Sequence, residues 1–166
     1  MTNSYIENLL RDAAEIFVHQ ALELRSVTDH VLMVALVVSQ RGDIHVVGIP
    51  DSRSRVDALR TICQRQHGVG FTLVGDGYLR LFDSTKIHQS CHGRGCDECR
   101  HTGHLHRGSQ EAIFSNVRTK WGYSETIYYP YRIQEQRCSA LEPVTLPMKD
   151  GLDVYGEVWP EQRAVN

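Results

Sequence analysis

Hydrophobic residues change their period several times along the chain, and each change marks an element. From Ile6 to Leu24 they recur at three- and four-residue steps (Ile6, Leu9, Leu10, Ala13, Ile16, Phe17, Ala21, Leu24), which predicts a helix with one buried stripe. Ser4 followed by Glu7 has the spacing of a capping box at its start. Two β-rich runs, 31–39 and 43–49, are separated by Gln40, Arg41 and Gly42, the punctuation of a hairpin. The first run is apolar throughout and is expected to be a central strand covered on both faces. Between Asp51 and His67 the stripe Val56, Leu59, Ile62, Cys63, with Gly68 beyond it, predicts a second helix of about four turns.

Residues 70–82 (GFTLVGDGYLRLF) read as a strand, with Asp76-Gly77 marking a tight turn or a bulge within it. Alternation resumes in 111–121 and 123–133 around Gly122, a second hairpin. Pro130 in its second arm points to an edge strand, because proline has no N–H for the ladder. Residues 143–148 and 152–159, joined at Asp150-Gly151, form a last hairpin pattern. Two helices and about seven strands with short connections predict an α+β fold with a largely antiparallel sheet, as one domain over 1–166. Residues 83–108 stand apart: apolar residues nearly vanish and Gly, His and Cys replace them, so this stretch is read as an insertion rather than core.

Composition narrows the functional classes. The chain has 166 residues, 41% hydrophobic and 23% charged, which excludes a disordered or collagen-like chain. Its longest apolar run, Val31–Val38, falls far short of the roughly 20 residues of a membrane-spanning helix. The N-terminal residues have no basic region leading into an apolar one, so the expectation is a cytoplasmic protein without membrane contact. A formal net charge of −2 argues against a protein that coats nucleic acid. The glycines of GVGFTLVGDG match neither phosphate-loop spacing, which removes the main nucleotide-site motif.

The insertion carries the chemistry. Of five cysteines, Cys91, Cys96 and Cys99 fall close together, and clustered thiols in a reducing compartment bind metal more often than they pair. His88-x-x-Cys91 and Cys96-x-x-Cys99 are two pairs that each supply two corners of a tetrahedron. Three thiolates and one imidazole make a closed site for a single structural Zn2+, with no position left for water. Gly93 and Gly95 let the backbone wrap the ion and aim amides at sulfur. His88 is the first choice for the nitrogen ligand, with His101, His104, His92 and His106 as the alternatives. Cys63, on the apolar stripe of the second helix, is expected to be core, and Cys138 incidental.

The run CHGRGCDECRHTG (91–103) resembles a compressed form of the zinc-binding module of DnaJ-type chaperones, built from C-x-x-C-x-G-x-G units. Cys91 to Gly95 matches the second half of one unit, and Cys96, Cys99 and Gly103 most of the next. His88 stands where the first cysteine of the first unit would be, the spacer between units is missing, and no His-Pro-Asp tripeptide occurs. The resemblance, confined to 88–103, therefore implies a zinc module and not chaperone activity. The remainder of the chain has a general likeness, carried by no motif, to small phage and mobile-element proteins, which implies an accessory or inhibitory role.

Catalysis is less well supported. A zinc-dependent hydrolase needs an open metal position and a nearby base, but the pattern around Cys96 lacks the upstream His-x-Glu or Cys-x-Glu element of a deaminase. His104-Leu105-His106 has the H-x-H of a JAMM-type metalloprotease without the residues that accompany it. Cys63 and His67 stand one helical turn apart with no third group to orient them. Binding is the stronger class: Trp121, Tyr123, Tyr128 and Arg132 are the residue types that anchor protein interfaces, and they equally suit stacking on single-stranded nucleic acid. Alternation puts Ile127, Tyr129, Tyr131 and Ile133 on one face and Tyr128 and Arg132 on the other. With Zn2+ and three thiolates counted, the charges of residues 83–108 nearly cancel, which favours a protein partner or a second copy over nucleic acid. The resulting expectation is a non-catalytic, zinc-stabilised binding protein.

Overall fold

The apolar run of the first hairpin lies between two layers of helix. The computed structural model describes residues 2–49, 55–80, 109–135, 137–145 and 158–159. Among these are two helices, α1 (Asn3–Arg25) and α2 (Arg55–Arg65). Seven strands accompany them: β1 (Met33–Ser39), β2 (Ile44–Ile49), β3 (Gly68–Arg80), β4 (Ser109–Thr119), β5 (Ser124–Gln134), β6 (Arg137–Ala140) and β7 (Val144–Thr145). All pairings are antiparallel, in the order β2-β1-β3-β4-β5-β6, with β7 also on β5. This is the expected α+β architecture.

Strand periodicity sorts the core into two sides. Leu36, Val38 and Val117 face Ile6, Leu10, Ala13 and Ala14 of α1, while Val74, Ile113 and Tyr131 face Val18 and Ala21 further along it. On the other side Ala35, Val37, Phe71 and Leu73 meet Leu59 and Cys63 of α2, together with Val158. The Trp159 ring lies 5.4 Å from that of Phe71, centre to centre. Strand β1 is thus covered on both faces, as its unbroken apolar run requires. The buried Thr72 hydroxyl donates to the Leu10 carbonyl at 2.6 Å, so its polar group is satisfied inside the α1 layer.

Two hairpins close in the same way. Gly42 (φ 90°) and Gly122 (φ 96°) end three-residue loops in the left-handed region, where glycine carries no Cβ penalty. In each, the hydroxyl that opens the loop accepts the amide that ends it: Ser39 Oγ from Asp43 at 3.0 Å, Thr119 Oγ1 from Tyr123 at 3.1 Å.

Three local expectations change. Helix α1 is capped by Thr2, whose hydroxyl accepts from the Tyr5 amide, and not by Ser4, which lies inside the helix. Its buried stripe runs Ile6, Leu10, Ala13, Ala14, Val18, Ala21, Arg25, leaving Ile16 and Leu24 exposed. Helix α2 gives way to β3 through His67 (φ 49°), and Gly68, just beyond it, is the first residue of the strand. Strand β3 passes straight through Asp76-Gly77, in unbroken register with β4 from Gly70–Thr119 to Arg80–Ser109. The glycines on either side of Asp76 make room for Phe114: a Cβ on Gly75 or Gly77 would sit 3.2 or 3.3 Å from its ring.

Strand β5, finally, is interior and not an edge. It pairs with β4 on one side and with β7 and β6 on the other, and Pro130 falls in the gap between those two partners. The pattern predicted over 146–157 lies outside the described residues.

Gly68 provides a packing test. A Cβ there would stand 2.7 Å from Val37 Cγ1 and 3.2 Å from the Cys63 backbone, which cannot move aside. Gly68→Ala should cost about 1–3 kcal/mol in denaturant unfolding, whereas a neutral effect would show that α2 is free to lift off β3.

Candidate functional site

Strands β3 and β4 outrun their neighbours. Strand β1 accompanies β3 only as far as Val74, and β5 pairs with β4 only as far as Ala112. Beyond both points Tyr78–Arg80 and Ser109–Glu111 continue as a two-stranded arm, about 10 Å long at the usual rise per residue. In sequence, residues 81–108 connect Arg80 to Ser109, and the proposed zinc ligands His88, Cys91, Cys96 and Cys99 lie outside the described residues. Among the described residues, no group of three or more His, Cys, Asp or Glu side chains could hold a metal ion.

The base of the arm carries the main polar network. Where β4 and β5 part, the guanidinium of Arg25, the last residue of α1, is buried to 7% exposure. Its Nε donates to the Tyr131 hydroxyl at 2.6 Å and lies 3.4 Å from Asp76 Oδ2. One terminal nitrogen donates to the Thr28 carbonyl at 2.7 Å, the other to Glu111 Oε2 at 3.4 Å. The Tyr131 hydroxyl in turn donates a hydrogen bond to Asp76 Oδ1 at 3.2 Å, and the Gly77 amide donates to the same oxygen. One cation therefore ties the end of α1 to β3, β4 and β5.

The electrostatics follow from that geometry. Burial opposes the charge on Arg25, but the hydrogen bond to Tyr131 and the field of Tyr131, Asp76 and Glu111 outweigh it and raise its pKa above the ordinary value. Burial pushes the Tyr131 phenol up, with Asp76 and Glu111 adding to the shift against the lowering effect of Arg25. Tyr131 is thus a fixed neutral donor over the working range of pH. The sequence carried a signal for this network: Arg25 extends the Ala21 stripe by four residues, and Asp76 shares the α1 face with Val74.

The four residues expected to bind a partner are not gathered on one surface. Trp121 and Tyr123 pack against the start of α1, where the Trp121 indole donates to Glu7 at 2.6 Å. The Tyr123 hydroxyl donates to Glu125 at 3.3 Å, and Glu125 also faces Arg11 of α1. Tyr128 is half-buried on the opposite face, its ring 6.2 Å from that of Phe114. Arg132 is exposed, paired with Ser139 on β6. Tyr129 and Tyr131 take the packed face that alternation assigns them, while Ile133 on the same face is exposed.

At the other end of the sheet, a cleft of about 640 Å³ opens between the β1–β2 loop and the end of α2. It is lined by Arg41, Asp43, His45, Arg65 and His67 among others. Nearby Cys63 supplies no nucleophile, because burial pushes its thiol up to about 12. No family model matches the chain, and neither a curated protein nor a solved structure does.

Two predictions test the two ends of the sheet. Arg25→Met removes the cation from beside Asp76, Glu111 and the Tyr131 hydroxyl. It should cost about 2–3 kcal/mol in denaturant unfolding, less than the ~3–5 of a fully buried pair because both carboxylates reach water. Tyr131→Phe should cost nearer 1 kcal/mol, and equal losses would contradict Arg25 as the hub.

The second is a pH dependence. The Cys63 thiol is held protonated up to about 12 in the fold but titrates near 9 when unfolded. The unfolded chain therefore loses a proton first, so this contribution is intact below pH 9 and declines as pH rises from there toward 12. Cys63→Ala, though less stable overall, should show a shallower decline across that window in pH-resolved unfolding.

Proposed function

We propose that this protein is a non-catalytic binding protein whose arm carries a zinc-stabilised module to a protein partner. The observation that carries this reading is the continuous β3–β4 register out to Arg80 and Ser109, anchored at its base by Arg25. A ribbon fixed at one end by a buried cation is a support for presenting a binding element. The 28 residues joining Arg80 to Ser109 contain His88, Cys91, Cys96 and Cys99, a donor set that suits one tetrahedral Zn2+.

A structural ion of this kind would replace the apolar core that the insertion lacks, since metal binding there is folding free energy. The ligand set leaves the metal no open position, which favours binding over hydrolysis. An accessory or inhibitory factor of a phage or mobile element, acting in the cytoplasm, fits this design. Nucleic-acid recognition is the second reading, and near-neutral charge in the loaded insertion makes it the weaker one.

The test separates the insertion from the core. Cys96→Ser should lose zinc by elemental analysis while the far-ultraviolet circular dichroism of the α+β core is retained. Replacing 83–108 by a short turn should abolish capture of a specific protein from the native host's lysate. Zinc retained in Cys96→Ser, or capture unchanged without the insertion, would overturn the proposal.

A further inference from the structure

Strand β2 is an edge of the sheet, and no described strand lies outside it. Natural edges are blunted by charge, proline, bulges or shortness. The opposite margin follows that rule: β6 has four residues, begins with Arg137 and pairs with a stretch containing Arg132. Strand β2 does not. Its sequence IHVVGI contains no acid, lysine, arginine or proline, its register with β1 is regular, and Ile44 and Val46 are 50% and 59% exposed.

The phase of the ladder shows which backbone groups face outward. Ser39 N–H donates to the Asp43 carbonyl at 2.9 Å, which makes these two a hydrogen-bonded pair in line with the β1–β2 register. Antiparallel alternation then turns the amides and carbonyls of His45, Val47 and Ile49 toward β1, and those of Ile44, Val46 and Gly48 away from it. The outward backbone groups and the exposed apolar side chains thus belong to the same residues.

We infer that β2 pairs antiparallel with β2 of a second copy, about a two-fold axis at Val46. In this register Val46 meets the partner's Val46, and Ile44 meets the partner's Gly48 on each side of the axis. Each of these pairs joins residues whose backbone groups point outward and whose side chains share a face. Nothing lies within 4 Å of a Cβ built on Gly48, so the facing isoleucine has room to lie across it.

Charge does not oppose this register. No ionised side chain of Ile44–Ile49 opposes a like charge across the axis; His45 faces the partner's Val47. A two-fold operator satisfies both edges at once and closes the assembly, whereas a strand from an unrelated protein would need this register without symmetry to supply it. The proposal uses no residue of 83–108 and stands apart from the zinc reading.

Sedimentation equilibrium of the full chain tests it, up to about 200 µM, a range in which a modest edge interface is populated. The wild type should form a two-chain species. Val46→Lys, which sets two ammonium groups against each other at the axis, should raise the dissociation constant by at least about tenfold, and Ile44→Lys should also raise it. Both positions are exposed in the single chain, so its thermal midpoint should hold. Val27→Lys makes the same chemical change at an exposed residue away from β2 and should leave the constant unchanged. Hydrogen exchange should find the Ile44, Val46 and Gly48 amides protected in the dimer and open in the monomeric Val46→Lys protein. A chain that stays monomeric, a dimer indifferent to Val46→Lys, or protection of those amides in the monomer would overturn the proposal; the last outcome would mean that another segment of the same chain covers the edge.

Discussion

A buried cation at the point where the sheet divides sets the terms for the rest of the molecule. Taking a guanidinium out of water is expensive, and that cost is offset only when surrounding groups are held to receive its donors. Arg25 has Tyr131, Asp76, Glu111 and the Thr28 carbonyl around it, drawn from three strands and the turn after α1. Satisfying one side chain therefore fixes the end of the helix, the point at which β4 leaves β5 and the direction of the β3–β4 arm. An apolar residue at 25 would permit many nearby arrangements of these strands, whereas the forked guanidinium accepts few.

The remainder of the fold supplies a platform for that arm. Strand β3 is shared by both sides of the core: Thr72 and Val74 belong to the α1 side, Phe71 and Leu73 to the α2 side. Its glycines serve close packing. Gly68 lies under Val37 and Cys63, Gly70 under Leu10, and Gly75 and Gly77 beside Phe114. With the arm tied at its base, the zinc module proposed for the insertion would need to stabilise only itself. A free β2 edge at the far side of the sheet would then let one dimer carry two such modules.

Period and punctuation made most of the fold legible. The unbroken apolar run of β1, the loops ending in Gly42 and Gly122 and the Leu59–Cys63 stripe all appear as the residues imply. Errors arose where one residue type has two physical uses. Asp76-Gly77 has turn chemistry, yet the aspartate answers Arg25 and the glycine answers Phe114, both through contacts distant in sequence. Pro130 suggested an edge because a gap between two partner strands can accommodate it as well. Leu24 reads as the end of a buried stripe because arginine is ordinarily exposed, although Arg25 continues the Ala21 stripe four residues on. Of the candidate site, the cysteine spacing belongs to the sequence alone, and the arm was not legible there because its length depends on where β1 and β5 stop.

The state of the metal tests the account most directly. X-ray absorption at the zinc edge, with elemental analysis of the purified full chain, should give one zinc per chain bound by three sulfurs and one nitrogen. A chain that purifies without zinc, or a zinc with oxygen in its coordination shell, would contradict the reading of the insertion as a closed structural module.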